Sequence, residues 1–229
     1  MACCFIWPDS DDVLNIRCYQ RGQPIEFCGH GLLATTYLWR RLHSAQSEAA
    51  TPILLCTATG EYLANWQRQQ LWLMAPRIRC GKSSDLSRQM PTDIAAWFDK
   101  IPSRTAFAGT GYQIFEFPRG IDIANLEVNI PRLALESRAI IVTQRQTQLF
   151  DYSLRYFAPQ FGNSEDSATG SANVVLADYW VQTGMKPPFR AYQCSAEGGE
   201  ILSNLSSDGT HVFISGNVEF IGQKTSCER

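Results

Sequence analysis

A strand-like segment that runs through a polar loop into a helix opened by glycine and a small polar residue occurs twice in this sequence. That repetition restricts the fold more than any other feature. The second copy, residues 151–184, reads DYSLRYFAPQFGNSEDSATGSANVVLADYWVQTG. It alternates as a strand around Leu154, Arg155, Tyr156 and Phe157, then passes a polar loop at 162–166. From Ala168-Thr169-Gly170-Ser171-Ala172 onward, Val174, Val175, Ala177, Asp178, Tyr179 and Val181 fall at helical spacing, with Gly184 as a stop. The first copy has a strand at 15–19, a polar loop, and CGHGLLATTYLW over 28–39. Laying Gly29 on Gly170 puts His30 on Ser171, Gly31 on Ala172 and Trp39 on Trp180. Two such units predict a duplicated architecture. Each helix start offers unpaired backbone N–H groups and the positive end of the helix dipole, which suits an anion. Two starts facing each other would make one anion-binding cleft between two halves.

Around these units the chain reads as strands wrapped on one helix per half. Strands at 1–7 and 13–19 form a hairpin candidate turning at 8–12. The first helix covers 29–43, and strands at 52–56, 62–66 and 71–74 follow it. Residues 76–85 are irregular and basic, and 91–100 has a helix signature with Ile94, Ala95, Trp97 and Phe98. Pro102-Ser103 divides a first domain, 1–102, from a second, 103–229. In the second lie strands at 112–117, 138–143 and 154–158, short helices at 121–125 and 129–135, and, after the second central helix, strands at 189–193, 200–205 and 211–220.

Composition narrows the function classes. A net charge of −2 gives no nucleic-acid surface. No apolar run is long enough for a bilayer and no signal peptide is recognisable, so a cytoplasmic protein is expected. None of the eight cysteines is spaced Cys-x-x-Cys and there are three histidines, which argues against a zinc site and for free thiols.

Six residues at the two helix starts carry the candidate chemistry. Asp166 is placed to hold a substrate amine or hydroxyl or to move a proton, or else to stabilise its helix as an N-terminal carboxylate. His30, at a helix N-terminus that disfavours imidazolium, is expected to be neutral and able to exchange a proton; capping is the alternative. Cys28 is either a favoured thiolate at a helix start or a small buried hydrophobe. Gly29, Gly170 and Ser171 offer N–H groups and a hydroxyl to a small carboxylate. Arg17 and Arg155 read as strand-edge charges.

At FCGHGLLATTYLW, EDSATGSANVVLADYW and the ending HVFISGNVEF the chain resembles the phenazine-biosynthesis PhzF-like family, relatives of diaminopimelate epimerase. The resemblance implies an α+β, diaminopimelate epimerase-like fold of two pseudo-symmetric domains, each a mixed sheet curled round a central helix. It implies a cofactor-independent isomerase or epimerase acting by proton transfer on a small carboxylic acid, as a homodimer, with no metal. By motif match, Gly29, His30, Asp166, Gly170 and Ser171 are its cleft residues. Three positions depart from the family pattern. Ala2 stands where the catalytic glutamate is expected, as though the chain starts inside that motif and its first domain is incomplete. Thr169 stands where diaminopimelate epimerase has its second cysteine, although Cys28 matches the first. Gly199-Glu200 replaces a Gly-Arg pair. Glu26, near the cleft loop, is a candidate substitute base. An isomerase with rerouted chemistry, a small-acid binding protein, and a chain whose first strands are supplied from elsewhere therefore all remain open.

Overall fold

The computed structural model describes residues 2–20, 22–25, 27–43, 51–67, 70–86 and 92–222. Strands β1 (Ala2–Ser10) and β2 (Val13–Gln20) form an antiparallel hairpin in which Cys4 lies opposite Cys18. In β2 the period of two puts Leu14, Ile16 and Cys18 into the core. The short β3 (Gln23–Ile25) folds back on β2. Helix α1 (Gly29–His43) then crosses to β4 (Ile53–Cys56), which runs parallel to β2, and β5 (Glu61–Gln67) and β6 (Gln70–Pro76) continue antiparallel. A connecting region follows, with β7 (Ser84–Asp85), α2 (Thr92–Ala95), β8 (Arg104–Ala108), β9 (Tyr112–Glu116), a 3₁₀ turn at Ile123–Asn125 and α3 (Ile130–Leu133).

The first arrangement is then repeated. Strands β10 (Ala139–Arg145) and β11 (Tyr152–Phe157) pair antiparallel. Helix α4 (Gly170–Gln182) crosses to β12 (Phe189–Gln193), parallel to β11, and β13 (Gly199–Leu205) and β14 (His211–Gly216) follow antiparallel. Strand, strand, helix, parallel strand and two antiparallel strands thus occur twice in one order. The last strands of the two repeats, β6 and β14, pair with each other antiparallel, so the described strands form one continuous sheet from β1 to β7. The repeat is the duplication expected from the paired motifs, and the architecture is the α+β, epimerase-like one that the family resemblance implies.

Both helices pack into one core. α4 buries every residue from Gly170 to Trp180, whereas α1 leaves Ala34, Arg41 and Leu42 exposed. A wholly buried helix must satisfy its one charge internally. Asp178, fully buried, accepts from Arg77 Nε at 2.6 Å, the Cys80 backbone N–H at 2.7 Å and Gln182 Nε2 at 2.6 Å. The segment after β6 is thereby fastened to α4. Further along that segment, Leu86, Ile94, Trp97 and Phe98 join Phe115, Phe117 and Leu133 in a second cluster, so residues ahead of Pro102 pack with the second half.

Several local expectations are corrected. The helix expected over 91–100 is limited to Thr92–Ala95, with Pro91 outside the described residues. It ends because Trp97 and Phe98 turn into the core against Phe115 and Phe117, and Phe98 bridges to Val128. The strand expected over 211–220 ends at Gly216. Arg155 is not a strand-edge charge. Its guanidinium forms a bidentate pair with Glu165 at 2.7 and 2.8 Å and donates to the carbonyls of Ile123 and Leu126, so it is a buried brace for the loop ahead of α4. Arg17, half-buried, donates to the carbonyls of Ile16 and Cys56 and lies over the Trp7 ring.

Candidate active site

Each repeat delivers its helix start to the same place, and the two starts touch. A methyl group built on Gly29 would stand 3.0 Å from Gly170 Cα; one built on Gly170 would stand 3.0 Å from Gly29 Cα and 2.8 Å from Ile214 Cδ1. Main chain meets main chain here, and only residues without a side chain allow that approach. Ile214, from β14, fills the space beneath both glycines.

A cleft of about 440 Å³ opens at this junction, within the range of small-molecule sites. Cys28, Gly29 and His30 line it from the first repeat, and Asp166, Gly170 and Ser171 from the second. All six residues singled out in the sequence are thus brought together. Gln20, Phe27, Tyr112, Tyr156, Asn163 and Thr169 also contribute. Glu26 lies outside the described residues.

Asp166 is held on every side. Its backbone N–H donates to the Tyr156 carbonyl at 3.0 Å, Asn163 Nδ2 donates to Oδ1 at 3.1 Å, and Thr169 Oγ1 donates to Oδ2 at 2.6 Å. The fully buried Gln193 locks the same turn, donating to the Asp166 carbonyl at 2.5 Å and accepting from the Thr169 N–H at 2.7 Å. Thr169 is the N-cap of α4, yet its hydroxyl is committed to Asp166 and gives the helix no side-chain cap. The first amides of α4 are therefore left for a ligand or water.

His30 faces the cleft, with Nε2 3.5 Å from Cys28 Sγ. The hydrogen bond to Cys28 pushes its pKa above the ordinary imidazole value, against the opposing effect of burial and with help from the Cys28 and Asp166 charges, the reverse of the direction expected from the helix start. Cys28 moves the other way, held well below the usual thiol range by hydrogen bonds from Cys18 and Cys4 and then from His30. Tyr156 is pushed up by burial and stays a neutral phenol, a donor on the cleft wall.

The profile of the phenazine biosynthesis-like protein family matches residues 2–220 of this chain. The chain belongs to that family. A phenazine biosynthesis-like domain-containing protein of Bos taurus is 52% identical over 64 residues, which are 28% of this chain and 22% of the relative. Matches to the human, mouse and orangutan relatives span 34–39% of their lengths, so the chain matches well under half of these mammalian proteins. An uncharacterized isomerase of Halalkalibacterium halodurans is 29% identical over 219 residues, 93% of this chain and 77% of that protein. Among solved structures, a PhzC/PhzF protein from Clostridium difficile superposes with a TM-score of 0.80 at 25% identity, over 99% of this chain and 83% of that one.

Within this phenazine biosynthesis-like site, sequence reasoning misses the residues that hold others in place. In the sequence Thr169 is only a departure from a motif, whereas in the fold it bridges the α4 start to Asp166. Gln193 gives no local signal, because it acts from β12 across the sheet. Cys4 and Cys18 look like unrelated thiols, although the hairpin register places them opposite each other and beside Cys28. Their signal lies in pairing β1 with β2, not in cysteine spacing.

Proposed function

We propose that this chain is a cofactor-independent isomerase that binds a small carboxylic acid between the two helix starts and moves a proton between its atoms. One observation carries the reading: Gly29 and Gly170 bring two helix N-termini into contact in a single cleft whose walls hold His30 and Asp166. The substrate carboxylate sits on the amides of Gly29, Gly170 and Ser171, where both dipoles favour negative charge. His30 comes from one repeat and Asp166 from the other, both on the cleft wall, and a positioned proton donor or acceptor contributes about 10²–10⁴-fold in rate. The relative from Halalkalibacterium halodurans, named an isomerase, supports the class of reaction.

A second reading, a small-acid binding protein, is favoured by a specific feature: no glutamate lines the cleft among the described residues. One experiment separates the two. The protein is incubated in D₂O with a panel of small amino, hydroxy and unsaturated carboxylic acids, followed by proton NMR and by thermal shift. Loss of a carbon-bound proton signal supports the isomerase; thermal stabilisation with no exchange for any acid supports the binding protein. Asp166→Ala removes acid-induced stabilisation while the unliganded melting temperature stays within about 2 °C of the parent, as for a partly exposed polar site. Unchanged acid affinity in that variant rules out the role given to Asp166.

A further inference from the structure

Behind the cleft, three elements bring their cysteines together. Cys4 comes from β1, Cys18 from the facing position of β2, and Cys28 from the residue before α1. Their three sulfurs lie within 4.8 Å of one another. Cys18 and Cys28 are buried and Cys4 is half-buried. The sulfurs converge on the bare face of Gly31: a methyl group there would stand 2.5 Å from Cys4 Sγ, 2.8 Å from Cys28 Sγ and 3.1 Å from Cys18 Sγ. A small cavity of about 30 Å³ lies against Cys18 and Cys28, room enough for one water-sized occupant.

We infer that Cys4, Cys18 and Cys28 bind a thiophilic divalent cation, Zn²⁺, through their three sulfurs, with a water as the fourth ligand. Zinc takes thiolate ligands at about 2.3 Å in a tetrahedron, which sets S···S at about 3.8 Å. The three sulfurs, all within 4.8 Å of one another, need to draw in by no more than about 1 Å to reach that spacing. Closing the set requires small side-chain rotations, with no change in the register of β1 on β2. Binding displaces the thiol protons to solvent. The expectation of no zinc site rests on local spacing, whereas these ligands are assembled by a strand pairing and a helix start. The metal would staple β1 and β2 to α1 and would hold the Cys28 sulfur from behind the cleft, leaving His30 in the cleft lining.

The whole protein, reduced and stripped with a chelator, is titrated with Zn²⁺ against a chromophoric chelator and, separately, with Co²⁺. The expected result is one ion per chain, with an intense sulfur-to-cobalt charge-transfer band and visible d–d bands of tetrahedral symmetry. Cys18→Ser weakens binding by more than about 100-fold, since loss of a mere supporting contact already costs 10–100-fold. Gly31→Ala, which removes no ligand, weakens binding by crowding the sulfurs, and Cys56→Ser, on β4, leaves it unchanged. Circular dichroism of each variant separates lost binding from lost fold. If Cys18→Ser unfolds, alkylation of the parent decides the matter, with Cys4, Cys18 and Cys28 expected to be protected by Zn²⁺. Absence of stoichiometric binding, binding equally reduced by Cys56→Ser, or isolation of the reduced-buffer protein with a Cys4–Cys18 disulfide each overturns the assignment.

Discussion

Replacing Gly170 by alanine tests the contact on which the cleft depends. The new methyl group would stand 2.8 Å from Ile214 Cδ1 and 3.0 Å from Gly29 Cα, both inside ordinary van der Waals contact. The first neighbour is the end of a side chain and can turn aside; the second is main chain at the start of α1 and can yield only by moving a helix. Overpacking of this kind costs about 1–3 kcal/mol. Against it stands a gain of about 0.4–1 kcal/mol from the stiffer unfolded chain. Taken at mid-range, about 2 against about 0.7, the net expectation is about 1.3 kcal/mol of destabilisation, or roughly 3–5 °C in melting temperature for a chain of this size. Urea titration reads it as a lower midpoint at unchanged slope. Gly60→Ala is the control, because nothing lies within 4 Å of its added methyl group, and it should be no less stable than the parent, gaining up to about 1 kcal/mol. Ile214→Val supplies the decisive arm. It deletes Cδ1, so Gly170→Ala and Ile214→Val together should cost less than the sum of the single changes. If Gly170→Ala behaves like Gly60→Ala, or the double change is strictly additive, the two helix starts do not meet as described.

Two further perturbations probe the scaffold and its titration. Asp178→Ala leaves Arg77, whose side chain is 9% exposed, without its carboxylate, and frees the Cys80 N–H as well. Loss of one partner of a buried pair costs about 3–5 kcal/mol, measurable by urea unfolding, and a cost below about 1 kcal/mol would refute the anchoring of the 77–80 segment on α4. Burial, with the Asp178 charge beside it, pushes the Cys80 thiol up to about 12. A raised folded pKa means stability that is complete below the thiol's ordinary value of 9.0 and is lost as pH climbs from there toward about 12. Alkylation with iodoacetamide at pH 8, mapped by peptide mass, should therefore label the exposed Cys3 well before Cys80; equal labelling rates contradict it.

The helices and their starting residues are legible in the sequence because period and punctuation coincide there. α1 spans Gly29–His43 as its pattern indicates, and α4 starts at Gly170, the residue aligned with Gly29. β12, Phe189–Gln193, is likewise readable, since the Pro187-Pro188 pair and the turn at Gly198-Gly199 bracket it. Illegible are features whose cause lies elsewhere in the chain. β8 pairs with both β7 and β9, and Phe107 is exposed on it, so its pattern is weak in one dimension. The helix signature at 91–100 fails because Trp97 and Phe98 gain more by burial against Phe115 than by continuing a surface turn. The upward direction of the His30 pKa shift escapes sequence reasoning on the same ground. A helix start is visible in sequence, but a thiol 3.5 Å away is set by side-chain packing.

The contact of the two helix starts also explains why this junction asks for an acid. Each N-terminus carries roughly half a positive charge. Two half charges about 4 Å apart, at an effective dielectric of about 20, repel by about 1 kcal/mol. Larger residues in place of Gly29 and Gly170 would separate the ends and relieve that repulsion, yet the chain keeps glycine at both, with Ile214 packed beneath them. The close approach is therefore held by the core against its own electrostatics. Asp166 does not cancel it through an N-cap, because its carboxylate oxygens take hydrogen bonds from Asn163 and from the Thr169 hydroxyl. A ligand carboxylate set on both ends turns the repulsion into two attractions at once, something neither helix start achieves alone. The position of the proposed anchor follows from the duplication: here the two units pair through their last strands, their helix starts converge, and an anion is what the convergence favours.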